Sequence, residues 1–173
     1  MVSKHGKGKN LLIVYNESIE YRRRHPDPTF SPEWSYCDSR KRLQLCGKGN
    51  YVFFHTTRRK KRYVTAYFVV EESILGRDVP RYNLTGGASH AYRFAEHYVI
   101  LGDKELSKEL SEPIEFDRSL AQELTFEPPK PIEFGKVNKF GRPLSDLECI
   151  SIATRSIRVL TDQDVDNLLI MVK

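Results

Sequence analysis

A chain of 173 residues, 39% hydrophobic and 29% charged, carries enough apolar side chain to bury one core, so disorder along its whole length is excluded. No apolar run approaches the roughly 18 residues of a membrane-crossing helix, so no membrane partner is expected. The net charge of +5 conceals an asymmetry: residues 1–62 hold 15 Lys and Arg against 5 Asp and Glu, and the remainder holds 13 against 18. Folded together, such halves give one basic face that draws in a polyanion.

Residues 11–15 (LLIVY) form a short apolar, β-branched run that reads as a buried strand. A polar stretch with the triplet Arg22, Arg23, Arg24 follows, and three prolines make residues 25–34 a loop. Residues 39–45 (SRKRLQL) suit a short helix or turn, ended by Gly47 and Gly49. Residues 51–56 (YVFFHT) and 63–70 (YVTAYFVV) are paired strands of a hairpin whose cationic tip spans residues 57–62. Both faces of the second strand are apolar or aromatic, which predicts a central strand covered on two sides.

Residues 84–88 (LTGGA) read as a turn and 98–101 (YVIL) as a further strand. Residues 104–110 are expected as a surface helix, and 114–116 as a strand. Asp117 is placed to cap a helix over 117–124. Pro128 to Pro131 reads as a rigid linker. Ser145 with Glu148 fits a capping box for a helix to about residue 157, and Thr161 caps a last one. The order predicts an α+β fold, a small twisted and partly closed β-barrel with flanking helices. Residues 1–127 form the binding domain, and 128–173 a linker with helices packed on it.

The motifs of common enzymes are missing. GxSxG, a Walker loop, HExxH and HxE with PCxxC are all absent, and no Asp or Glu precedes a Lys by two positions, as a nuclease hairpin requires. The expectation is a binding module with no catalytic residue, no cofactor and no metal. His90 and His97, seven apart, can share a helical face but have no third ligand nearby. Asp162, Asp164 and Asp166 lack the glycine and distal Glu of a calcium loop, and read as a solvated first turn that suits the helix dipole. Cys37, Cys46 and Cys149, odd in number and widely spaced, are expected as reduced thiols. The polar start, residues 1–10, has no signal core, which together with the thiols points to the cytoplasm.

Basic clusters interleaved with aromatics suit nucleic acid: cations neutralise phosphates, and rings stack on bases for roughly 1–3 kcal/mol each. The expected phosphate contacts are Arg22, Arg23, Arg24, Arg40, Lys41, Arg42, Arg58, Arg59, Lys60, Lys61 and Arg62. Trp34, the single tryptophan, is either an exposed wall of a base pocket or a plug in the barrel.

Residues 34–43 (WSYCDSRKRL), the strand 51–56, its basic turn and the second strand resemble the PUA-like superfamily, closest to its YTH and EVE branch. LLIVYN upstream, HYVIL followed by glycine, and IEFD downstream extend the resemblance over about residues 10–120. It implies a barrel that takes a modified base, of the N6-methyladenine kind, from DNA or RNA into an aromatic cage, as related modules of modification-dependent restriction systems do. Trp34 is then a cage wall, Ser35 and Tyr36 meet the base edge, Asn16 hydrogen-bonds it, and His97, Tyr98 or Leu101 closes the other side. The family pattern has a second tryptophan that this sequence lacks, and it does not account for the tail after Pro128, which is either a packing element or a link to a further module. Two other readings stand beside this one. A general RNA-binding module of PUA type would have a basic groove and a buried Trp34. An enzyme acting on modified nucleotides would bring His55, His90, His97 or Asp38 into one pocket.

Overall fold

The computed structural model describes residues 5–24, 27–39 and 41–172. The apolar run becomes strand β1 (Asn10–Val14), with Leu11, Leu12 and Ile13 all buried. It lies between β3 (Tyr51–Arg58), which runs parallel to it, and β7 (Arg158–Leu160), which runs antiparallel. The hairpin forms as expected, with a tighter tip. β3 and β4 (Lys61–Leu75) pair as far as Arg58 and Lys61, which leaves a two-residue turn of Arg59 and Lys60. Both turn residues are left-handed, at φ 47° and 63°, the backbone that matches strand twist in a tight hairpin.

β4 organises the sheet. Its first part pairs with β3 on one side and β6 (Lys108–Glu115) on the other, and its second part pairs with β5 (Tyr98–Gly102). Register shifts at Val64/Ala66 and Val70/Glu72 allow one strand to serve both partners, as bulges bend and twist a strand. β5 then pairs with β2 (Ser35–Asp38), giving the order β2-β5-β4-β3-β1-β7 with β6 on β4. β2 and β7 end the path, so the α+β fold stands but the sheet is open where a partly closed barrel is expected.

Strand alternation sends side chains to two cores. Leu12, Phe53, Phe116 and Phe126 pack on one face with Leu168 of the last helix. Leu11, Ile13, Phe54, Phe68 and Trp34 pack on the other. A smaller cluster of Ile74, Val79, Ala88, Ala91 and Val99 joins the short 3-10 segments Gly76–Arg81 and Gly87–Arg93 to the ends of β4 and β5.

Two expectations change. Residues 104–110 are not a surface helix: a turn leads into β6, because pairing with the free side of β4 outweighs local helix preference, and Pro113 is tolerated there in a strand with one partner. Asp164 is not a solvated first-turn acid. It is fully buried and accepts from the N–H groups of Thr125, Phe126 and Thr161 at 2.8, 3.0 and 2.9 Å. Asp117 caps α2 (Arg118–Glu123), Ser145 and Glu148 form the capping box of α3 (Asp146–Ala153), and Thr161 caps α4 (Asp162–Met171). Residues beyond 128 add β7 to the same sheet and α4 to the same core. No helix among the described residues is long and apolar enough to cross a membrane.

Candidate functional site

Where β1 ends, Asn16 Oδ1 accepts the N–H of Ser18 at 2.9 Å, a local turn that starts α1 (Ile19–Arg24). Glu17 beside it receives Arg58 through two bonds, at 2.6 and 2.9 Å, and Tyr15 Oη lies 2.9 Å from Thr65 Oγ1. These contacts tie the end of β1, the start of α1 and the basic hairpin tip into one corner.

A second set of bonds builds the opposite wall. Burial pushes the Glu33 carboxyl up, but its hydrogen bonds outweigh burial and hold it below the usual range. It accepts from Ser35 Oγ at 2.5 Å, from Thr85 N–H at 2.6 Å and from Gly86 N–H at 2.8 Å. This clasp lays the segment Gly87–Arg93 against β2. The two glycines are needed for the approach: a Cβ on Gly86 would sit 2.4 Å from Thr29 Oγ1, and one on Gly87 2.6 Å from the backbone nitrogen of Asp27. On β2, Tyr36 Oη donates to Asp38 at 2.8 Å while its ring meets Phe54 edge-on. His97 stacks on Phe94, centroids 4.6 Å apart.

Between these walls lies a cavity of about 470 Å³. Its rings come from Tyr15, Tyr21, Tyr36 and His97, its amide from Asn16, and further polar groups from Asp27, Cys37, Asp38 and His90. That volume falls within the range of small-molecule sites. Two other clefts, of about 290 and 810 Å³, have no aromatic ring in their lining. Burial pushes the Asp27 carboxyl up to about 7, against the lowering effects of the Cys37 hydrogen bond and nearby Arg22. Burial likewise raises the Cys37 thiol.

Of the seven residues expected to hold a base, Asn16, Tyr36 and His97 line this cavity. Trp34 does not: it is 5% exposed, at φ 53°, edge-on to Phe30 and Phe68 in the core. Ser35 is buried on the Glu33 clasp, Tyr98 donates to Gln44 at 2.9 Å, and Leu101 packs on the small cluster. Tyr15, Tyr21, Asp27 and Cys37 were missed. The rings of Tyr15 and Tyr21 flank Asn16 closely in sequence, which is a usable signal. Asp27 had none, because the path of a proline-rich loop is set by what it packs on. Asp38, His90 and His97 share the cavity, whereas His55 is buried elsewhere against Arg62.

The expected phosphate contacts also divide. Arg23, Arg24, Arg59 and Lys60 are exposed. Arg62 is buried and bonded to Ser151, so it is drawn away from the surface set. Arg22 donates to the carbonyl of Pro28 at 2.7 Å and Arg42 to that of Ile157. Arg58 pairs with Glu17, and Lys61 with Glu115 at 2.9 Å. Arg40 and the side chain of Lys41 lie outside the described residues.

No protein-family profile and no curated protein matches the chain. Among solved structures, the N-terminal domain of Thermococcus gammatolerans McrB bound to m5C DNA is similar in layout, at 12% identity over 95% of this chain and 99% of that one, with a TM-score of 0.46. A likeness at that level leaves the function to be argued from the residues of this chain.

Proposed function

We propose that this chain binds nucleic acid and takes one modified base, of the N6-methyladenine type, into the cavity between α1, β2 and the segment Gly87–Arg93. The observation that carries this reading is the convergence of Asn16, Tyr36 and His97 on a ring-lined cavity whose rim is tied, through Glu17 and Arg58, to the basic hairpin tip. Asn16 spends its carbonyl on Ser18, and its amide N–H2 makes no hydrogen bond among the described residues, so it supplies a donor for a ring nitrogen. Tyr21 and His97 offer ring faces. Extruding a base costs a few kcal/mol, and stacking of roughly 1–3 kcal/mol per base offsets much of it. Arg23, Arg24, Arg59 and Lys60 hold the phosphates without reading sequence.

The test is anisotropy of labelled oligonucleotides, DNA and RNA, methylated and unmethylated, at two salt concentrations. A preference for the methylated strand that persists at the higher salt and disappears in Asn16→Ala and His97→Ala supports the reading. Equal binding of both strands that collapses with salt overturns it and leaves a general RNA-binding module, which the burial of Trp34 favours. The presence of Asp38, His90 and His97 in one cavity favours an enzyme acting on modified nucleotides. Mass spectrometry of the incubated strands decides that, since recovery of intact strands excludes turnover.

A further inference from the structure

Three segments of the chain, two of them close in sequence and one distant, bring potential metal ligands together at the cavity. Asp27 comes from the proline-rich loop, Cys37 from β2 and His90 from the segment Gly87–Arg93. One carboxylate oxygen, the thiol sulfur and one imidazole nitrogen all lie within 4.8 Å of one another. Tetrahedral bonds of about 2.0–2.3 Å put ligand atoms roughly 3.3–3.8 Å apart. Small side-chain rotations therefore close the set without moving a strand. The absent Cβ of Gly87, whose place lies 2.6 Å from Asp27, is what lets the histidine-bearing segment come this close.

Two features of the surroundings favour a cation here. Asp27 Oδ1 is buried and has no hydrogen-bond partner among the described residues. Glu33 and Asp38 lie near Asp27, with the guanidinium of Arg22 opposing them, so acidic groups gather here within the basic half of the chain. The donor set narrows the choice. Calcium and magnesium demand oxygen ligands, whereas a thiolate, an imidazole and a carboxylate together suit a borderline ion.

We propose that Asp27, Cys37 and His90 form a Zn²⁺ site with a fourth coordination position open to the cavity. On binding, the Cys37 thiol releases its proton to water and the thiolate takes the metal, His90 binds through an unprotonated ring nitrogen, and Asp27 gives one carboxylate oxygen. No group changes oxidation state. The open position takes a water or a donor atom of whatever occupies the cavity, the arrangement by which three protein ligands keep zinc accessible. The site rests on the geometry of the ligands and not on base binding, and the metal is measured without nucleic acid, so either proposal can fail alone.

The experiment is an anaerobic Co²⁺ titration of untagged, metal-free protein, followed by displacement with Zn²⁺ against a chromophoric chelator. The expected result is one equivalent of Co²⁺ and a near-ultraviolet thiolate-to-cobalt band. The band is lost in Cys37→Ser and kept in Cys46→Ser/Cys149→Ser, which removes the two other thiols. His90→Gln weakens Zn²⁺ binding by more than the roughly 10–100-fold typical of an outer-shell partner. Far-ultraviolet circular dichroism establishes that each variant is folded, and His90→Gln, at a half-buried position, carries the test if Cys37→Ser is not. Absence of the band in the native protein overturns the proposal, as does a band that survives Cys37→Ser or an affinity unmoved by His90→Gln.

Discussion

Nη1 of Arg62 lies 3.1 Å from Nδ1 of His55, with both side chains buried beneath the β3–β4 hairpin. Acceptance at Nδ1 leaves the ring proton on Nε2, which finds no partner among the described residues. Burial, and after it the charge of Arg62, holds His55 well below its ordinary titration range. In the unfolded chain it titrates near pH 6.5. The folded value is the lower one, so the unfolded state takes up the extra proton and stability is lost as pH falls below about 6.5. The buried Asp27 carboxyl, raised to about 7, contributes a slope of opposite sign over the same range. The share of His55 is therefore read as the difference between the native protein and His55→Gln in urea unfolding at about pH 7.5 and about pH 5.5, and should approach about 1.4 kcal/mol per pH unit. A slope that His55→Gln leaves unchanged would place its origin elsewhere.

In the proposed function the hairpin tip would trade stability for binding. Arg59 and Lys60 hold left-handed backbone that Asn-Gly adopts with less strain. The double change Arg59→Asn, Lys60→Gly should raise stability by about 1 kcal/mol. The same change should weaken binding to duplex DNA and reduce its salt slope by about 0.9 per lost phosphate contact. Denaturant curves and salt-dependent anisotropy measure the two effects separately. A slope that does not move would remove the tip from the interface.

Gly87→Ala tests whether the cavity depends on the close approach of its two walls. The new methyl group would meet Asp27 at 2.6 Å, against backbone as well as side chain, so the loop or the 3-10 segment must shift. A stability loss of about 1–3 kcal/mol is expected, as for other overpacked sites, together with loss of selectivity for a methylated base. Selectivity that survives in a folded variant would show that the base does not enter here.

Asp164 joins the last helix to the segment at residues 125–126. Replacing it by Ala strands the N–H groups of buried Phe126, half-buried Thr161 and exposed Thr125, and removes the Asp164 half of the α4 capping box. A loss of about 2–4 kcal/mol is expected in equilibrium unfolding. Gln163→Ala, exposed on the same turn, should cost under about 1 kcal/mol.

Elements with a local cause were readable in the chain. The hairpin, β1, β5 and the caps of α2, α3 and α4 each follow from a side-chain period or a residue that satisfies a helix end. β6 and β7 were not. KELS has ordinary helix preference, and Arg158–Leu160 is too short for any periodicity, so both strands exist only because β4 and β1 offer unpaired backbone. The cavity divides in the same way. Asn16, Tyr36 and His97 were picked out by resemblance along the chain, whereas Trp34 was equally compatible with wall and core, and its position beside Phe30 and Phe68 settles it as core.

By itself, the sequence determined the asymmetry of charge, the aromatic hairpin and the helix caps, because each depends on residue type and near neighbours. The tertiary structure alone decided that the sheet stays open, that Arg62 is buried while Arg59 and Lys60 are exposed, and that Asp27, Cys37 and His90 meet. Those outcomes depend on which distant segments share one volume, and neither composition nor spacing encodes a distance between residues that touch only after the chain has packed.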